Sequence, residues 1–347
     1  MIFKKIKDWK PPSEWIRIKT LETHTAGEPL RIILDGYPRL EGKTVLEKRA
    51  YLRENYDYLR KILMSEPRGH IDMYGALLVE PDSEDSDLGV IFMHNNGYST
   101  GCGHAVIAIA KVLFKSKDFL KNNSKRTNII MDVPSGKIKA SPVIVNNKLV
   151  GISFVNVASF VYKLNYKIEI DGIGKINCDI AYGGAFYVVV RSSDFGLGCN
   201  PIYRDRLIDI GMKLKLAVND SLELIHPLTN KKHSLYGTIF IDSAEFQDNH
   251  SRNVCVFANG QIDRSPTGTG VSARAAIEYS KRKIIKGEDL IIESIIGSTF
   301  KVSIFKEEKI GSLNIVFPKV TGDAYIIGSN TYYVDPDDPF GDGFLVK

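Results

Sequence analysis

The stretch YSTGCGHAVIAIA, Tyr98–Ala110, decides how this chain is read. A strand-like approach ends in a turn of small residues, and every residue from Ala105 to Ala110 is apolar. A helix that is apolar all round is wrapped by protein rather than laid on a surface. A second stretch, DRSPTGTGVSARAA (Asp263–Ala276), repeats the plan: Cys102-Gly103-His104-Ala105-Val106 falls on Thr267-Gly268-Thr269-Gly270-Val271. The second helix is made of Val, Ser and Ala, which lets strands pack close around it. The repeat predicts a pseudo-symmetric α/β (α+β) protein of two domains, each a curved, barrel-like sheet around one central helix. The expected limits are 1–165 for the domain with the Cys102 turn and 166–319 for the domain with the Thr267 turn. Residues 320–347 are expected to pack back on the first domain, with the active site in the cleft between the two.

The rest of the chain is consistent with that plan. At 347 residues it is long for a single core, so two domains are expected. Strand-like runs such as WIRIKTLETH, LGVIFMHN and TNIIMDVPSGKIKASPVIVNNKLVGISFVNV precede a second series at LYGTIFIDS, NVCVFANG, DLIIESIIG, FKVSIF and GSLNIVFPKV. Besides the two central helices, Thr44–Met64 and Tyr203–Asp220 have helical composition. The formal charge of +5 is small. Lysines scattered as in KVLFKSKDFLKNNSKR describe solvated faces rather than a nucleic-acid stripe. The N-terminal MIFKKIKDWKPPSEW has no apolar core of signal-peptide length, and nothing approaches a membrane span. A cytoplasmic protein with reduced thiols follows, in which the sequon Asn122-Asn123-Ser124 has no meaning. Cysteines 102, 178, 199 and 255 show no metal-ligand spacing, so no metal is expected.

The first turn of a helix leaves backbone N–H groups unpaired at its electropositive end, where a carboxylate or phosphate binds without Arg or Lys. Gly103 and Gly268 let a ligand approach that backbone closely. A thiol in the same field has its pKa lowered from about 8.5 towards neutrality. Cys102 therefore reads either as a base or nucleophile beside an anion site, or as a small buried hydrophobe. Asp263 reads either as the partner of an ammonium group at the second mouth or as a turn residue pairing with Arg264. GTGVSA also fits a dinucleotide fingerprint with Glu293 as the ribose acid. That motif needs a strand running straight into its first glycine. Here NVCVFANG ends at Gly260, and Pro266 intervenes before Gly268.

Six ordered segments then make the chain resemble the proline racemase family. They are THTAGEPLRII (Thr23–Ile33), MYGALLVEP (Met73–Pro81), NNGYSTGCGHA (Asn95–Ala105), YGGAFYVVV (Tyr182–Val190), DRSPTGTG (Asp263–Gly270) and VDPDDPFGDGF (Val334–Phe344). The resemblance implies the proline racemase and diaminopimelate epimerase-like fold and cofactor-free chemistry at Cα of a proline-like imino acid. It also implies a homodimer. By resemblance Cys102 takes the Cα proton, Gly103, His104, Gly268 and Thr269 hold the carboxylate, and Asp263 holds the ring nitrogen. His24 and Glu28 are read as supports for the cleft.

The chain departs from the family at Thr267, where racemases and epimerases carry a second cysteine. A hydroxyl cannot replace a thiol as general base near neutral pH, and the Cys/Thr pair resembles the trans-3-hydroxy-L-proline dehydratase branch. In that substrate the hydroxyl and the Cα hydrogen share a ring face. One thiolate can take the proton and, as thiol, protonate the departing hydroxyl, a step that water, His104 or Thr267 can also supply. The enamine then tautomerises to Δ1-pyrroline-2-carboxylate. The alternatives are a proline racemase or 4-hydroxyproline epimerase, and a catalytically silent amino-acid-binding protein. Smaller departures are Gly101 and Ala105, where the family often has Met and Gly.

Overall fold

The computed structural model describes residues 2–116 and 127–346. The sequon at 122–124 lies outside the described residues. Eighteen strands are hydrogen-bonded into one continuous, strongly folded sheet, and it wraps two helices. The first central helix, Gly103–Lys115, is enclosed by strands Ile16–Thr25, Glu28–Asp35, Gly136–Val145, Lys148–Val155 and Ala324–Val334. Residues Ala105–Ala110 are at most 1% exposed, as an apolar circumference requires. The second, Gly268–Ser280, is enclosed by Ser159–Ile170, Gly174–Tyr182, Phe186–Arg191 and Thr299–Ile310.

Strand Leu313–Gly322 touches both helices and forms the seam, pairing antiparallel with Lys148–Val155 through Lys319↔Val155 and with Ser159–Ile170 through Ile315↔Phe160. The expected limits after 165 and after 319 both fall inside strands, Ser159–Ile170 and Leu313–Gly322. The tail strand Ala324–Val334 pairs antiparallel with Ile16–Thr25 and packs on the first central helix.

Outer helices complete the cores. Arg204–Ser221 lies on strand Leu235–Asp242 through Leu207, Leu214 and Val218. The run expected as one helix over Thr44–Met64 is two, Val45–Asn55 and Asp57–Met64. Tyr56, at φ −138°, breaks it. Thr44 starts the first of these with a capping box, its side chain accepting from the Glu47 N–H while Glu47 reaches back to the Thr44 N–H.

Candidate active site

The two central helices meet end to end. A Cβ built on Gly103 would stand 2.7 Å from Cα of Gly268, and one built on Gly268 would stand 2.7 Å from Cα of Gly103. Only glycine on both sides permits this backbone contact, and it brings two electropositive helix ends to one point. The hairpin before strand Phe186–Arg191 closes on the same place. A Cβ on Gly183 would lie 2.3 Å from the carbonyl oxygen of Thr269, and Gly184 turns the chain at φ +103°.

One cavity forms where the helices meet. Cys102, Gly103, His104, Asp263, Thr267, Gly268 and Thr269 line it together with Gly101, Tyr74, Tyr187, Tyr236 and Phe257. Its free space of about 20 Å³ holds roughly one water molecule, far less than an imino acid requires. Admitting a ligand of that size requires the two halves to part. Hydrogen bonds across the join hold it shut. Arg264 donates its N–H to Glu28 Oε2 (2.6 Å) and its Nη2 to Asp72 Oδ2 (2.6 Å), Gln261 Nε2 donates to the Ile71 carbonyl (2.6 Å), and Thr100 Oγ1 donates to the Gly184 carbonyl (3.0 Å).

Cys102 caps the first helix from an extended backbone (φ −153°), and its sulfur accepts the Ala105 N–H at 3.4 Å. The His104 ring lies against it, with Nδ1 3.2 Å and Nε2 3.7 Å from Sγ. The expectation from the helix end alone was a lowered thiol pKa. Instead, burial pushes the Cys102 thiol well above its ordinary value, the Asp263 carboxyl adds to this, and the Ala105 N–H opposes it only in part. Burial also pushes His104 down, so both directions favour an uncharged thiol facing an uncharged imidazole.

Thr267 opens the second helix at φ +68°, a left-handed conformation costly for a β-branched residue. It is pinned there, its N–H donating to Ser265 Oγ (3.1 Å) and its Oγ1 to Asp263 Oδ2 (2.7 Å). The other Asp263 oxygen accepts the Ser265 N–H at 2.7 Å. Asp263 thus organises its own turn and still presents a carboxylate to the cavity. Glu28, which the sequence marks only as a support, is fully buried, and its Oε1 has no hydrogen-bond partner among the described residues. Burial first, then Asp263, raises its pKa well above the usual carboxyl range, so it stays a neutral acid.

The aromatic wall of Tyr74, Tyr187, Tyr236 and Phe257 was not anticipated. Tyr74 and Tyr187 sit inside the quoted segments MYGALLVEP and YGGAFYVVV, yet their composition signals only strand. Gly101 leaves space beside Thr269, since a Cβ there would meet Thr269 Cγ2 at 3.6 Å and Ser135 Oγ at 3.2 Å.

The fold and site define a two-lobed α/β protein whose paired helix ends hold a thiol opposite a hydroxyl. The chain belongs to the proline racemase family, whose model matches residues 20–345. A relative from Colwellia psychrerythraea named trans-3-hydroxy-L-proline dehydratase is 45% identical over 99% of this chain and 97% of its own. A Clostridioides difficile protein named proline racemase is 37% identical over 95% of this chain and 98% of its own. The crystal structure of an Agrobacterium vitis hydroxyproline epimerase with bound trans-4-hydroxy-L-proline superposes with a TM-score of 0.85 at 26% identity, covering 96% of each chain. Among the described residues no helix is long and apolar enough to cross a membrane.

Proposed function

We propose that this chain dehydrates trans-3-hydroxy-L-proline to Δ1-pyrroline-2-carboxylate without a cofactor, as a hydro-lyase. The observation that carries the reading is the asymmetry of the helix ends: one thiol, Cys102, faces one hydroxyl, Thr267, which is already committed to Asp263. In this reading the substrate carboxylate lies on the first-turn N–H groups around Gly103, His104, Gly268 and Thr269, and Asp263 accepts from the ring nitrogen. The incoming ammonium offsets the Asp263 charge that opposes the thiolate. His104 Nδ1, 3.2 Å from the sulfur, is placed to take the thiol proton, a role beyond the carboxylate contact that the resemblance implies. The thiolate removes the Cα proton. The developing carbanion is stabilised through the carboxylate by both helix ends, and the 3-hydroxyl on the same face leaves.

A racemase or epimerase needs a second base on the opposite face, which Thr267 does not supply. A silent binding protein gains nothing from a thiol held against an imidazole. The same reading divides the chain into a Cys102 lobe and a Thr267 lobe, with the tail returning to the first. It carries with it a cytoplasmic location and a homodimeric assembly.

The test is incubation of the purified protein with each hydroxyproline isomer and with L-proline in D2O. Cyclic imine is expected from trans-3-hydroxy-L-proline, with deuterium entering Cα of L-proline and no D-proline formed. Accumulation of D-proline, or no imine from any isomer, overturns the assignment.

A further inference from the structure

We infer that Tyr74 hands the proton to the departing 3-hydroxyl, an assignment that rests on the dehydration proposed above. The hydroxyl leaves on the Cys102 face, so its proton comes from a group on that side. The hydroxyls lining the cavity, that of Tyr74 included, are hydrogen-bonded, and what separates them is their partners. Thr267 Oγ1 donates to Asp263 (2.7 Å), and Thr269 and Tyr187 are bound to each other (2.6 Å). The His104 ring is occupied with the sulfur. Tyr74, on strand Tyr74–Val79, is only 2% exposed and meets the His104 ring edge-on at 4.8 Å between centroids. Its hydroxyl is hydrogen-bonded to Ser99 Oγ, and it interacts with both the Cys102 thiol and the Tyr236 hydroxyl. The phenol thus shares the cavity with the thiol and interacts with it, which is the placement a relay from sulfur to a departing oxygen requires.

The step balances. The Cα–H bond breaks as its proton passes to the Cys102 sulfur, and the electron pair left on Cα forms the double bond to C3. The C3–O bond breaks with its electrons on oxygen, that oxygen takes the phenolic proton, and water departs. The phenol is refilled from the Cys102 thiol, which returns to thiolate. Burial holds the Tyr74 hydroxyl well above the ordinary phenol range, so phenolate does not persist and the two transfers run as one relay. Exchange at Cα of an unsubstituted proline breaks no C–O bond and needs no such donor.

That difference provides the test. Tyr74→Phe removes one oxygen. Dehydration of trans-3-hydroxy-L-proline is expected to fall at least about a hundredfold, the usual scale of a lost general acid. Deuterium uptake from D2O at Cα of L-proline, and binding of pyrrole-2-carboxylate, stay close to those of the parent. Undiminished dehydration overturns the assignment. So does an equal fall in dehydration and exchange, which makes Tyr74 only a support for Cys102. If the parent itself forms no imine, the functional reading fails and this one falls with it, whereas imine formed equally by parent and variant removes Tyr74 alone. A fluorinated tyrosine at position 74 keeps the hydroxyl and lowers its pKa. The alkaline limb of the dehydration profile then moves to lower pH, and an unmoved limb also overturns the relay.

Discussion

Replacing Gly103 by alanine tests the contact on which the whole site depends. The new methyl would lie 2.7 Å from Gly268 Cα and 3.0 Å from Phe154 Cζ. Unbonded carbons settle at about 3.5–4.0 Å, so the helix ends must part by about 1 Å. The obstacle is backbone, which cannot swing aside as a side chain can. Overpacking of this kind costs about 1–3 kcal/mol of stability. The larger effect is on chemistry, because a reacting group misplaced by about 1 Å loses about two orders of magnitude in rate. Gly103→Ala is therefore expected to melt a few degrees lower, dehydrate about a hundredfold more slowly and bind pyrrole-2-carboxylate weakly, since both anion-binding turns are displaced. Gly268→Ala should match it, because its methyl meets Gly103 Cα at the same 2.7 Å. Gly328→Ala is the control, as a Cβ there meets nothing within 4 Å. Imine formation followed by absorbance, calorimetric binding and thermal melting are the assays. A folded Gly103→Ala protein with close to the parent rate would refute the end-to-end arrangement.

Cys102→Ser should lose dehydration by about 10²–10⁴-fold yet still bind pyrrole-2-carboxylate, whose site is backbone N–H. Activity kept with binding lost would make Cys102 a binding residue instead. Thr267→Cys places a second thiol at the opposite helix end and should bring slow Cα epimerisation of proline or 4-hydroxyproline, read by chiral chromatography after long incubation. Racemisation by the unmodified protein would sink the one-base argument. Glu28→Gln mimics the neutral acid, so its effect on stability is a matter of sign. Glu28 keeps its proton in the fold after the unfolded chain has released its own near pH 4.5, so the parent loses stability as pH rises between those two values. Melting of the variant relative to the parent should therefore improve with pH from about pH 5 upwards, by about 1.4 kcal/mol per pH unit. A flat or falling difference would show that Glu28 is ionised.

What could be read in the sequence was what the backbone encodes locally. An all-apolar helix after a small-residue turn states both its burial and its unpaired N–H groups, and the overlay of Cys102 on Thr267 pairs the two turns. The seven residues named from those turns and from the resemblance line a single cavity. The aromatic wall was not legible, because Tyr187, Tyr236 and Phe257 are brought together only by strand register and Tyr74 meets Phe257 from a strand of the other lobe. Strands Ser159–Ile170 and Gly174–Tyr182 escaped for a related reason. They interleave exposed lysines, asparagines and a glutamate with their apolar positions, so no unbroken apolar run marks either of them. The left-handed turn at Thr267 had no signal either, since threonine is a residue that usually avoids it.

The electrostatics of the closed cavity explain how such a site keeps an oxidisable thiol in waiting. No lysine or arginine lines the cavity among the described residues, while Asp263 and Cys102 share it and the Glu28 carboxyl is buried nearby beside Arg264. So far from bulk solvent, nearby negative charge adds to burial in keeping the Glu28 carboxyl and the Cys102 thiol protonated. The positive partners are partial ones, the N–H groups of two helix ends, and they are aimed where a carboxylate would sit. In the proposed reaction a zwitterionic imino acid supplies what is missing: its carboxylate occupies the helix ends, and its ammonium offsets the charge of Asp263. Only then does the balance at Cys102 turn towards thiolate, beside an imidazole able to take the proton. The base is thus generated by the substrate it acts upon, and Thr267, held on Asp263 across the cavity, adds neither a second charge nor a second base.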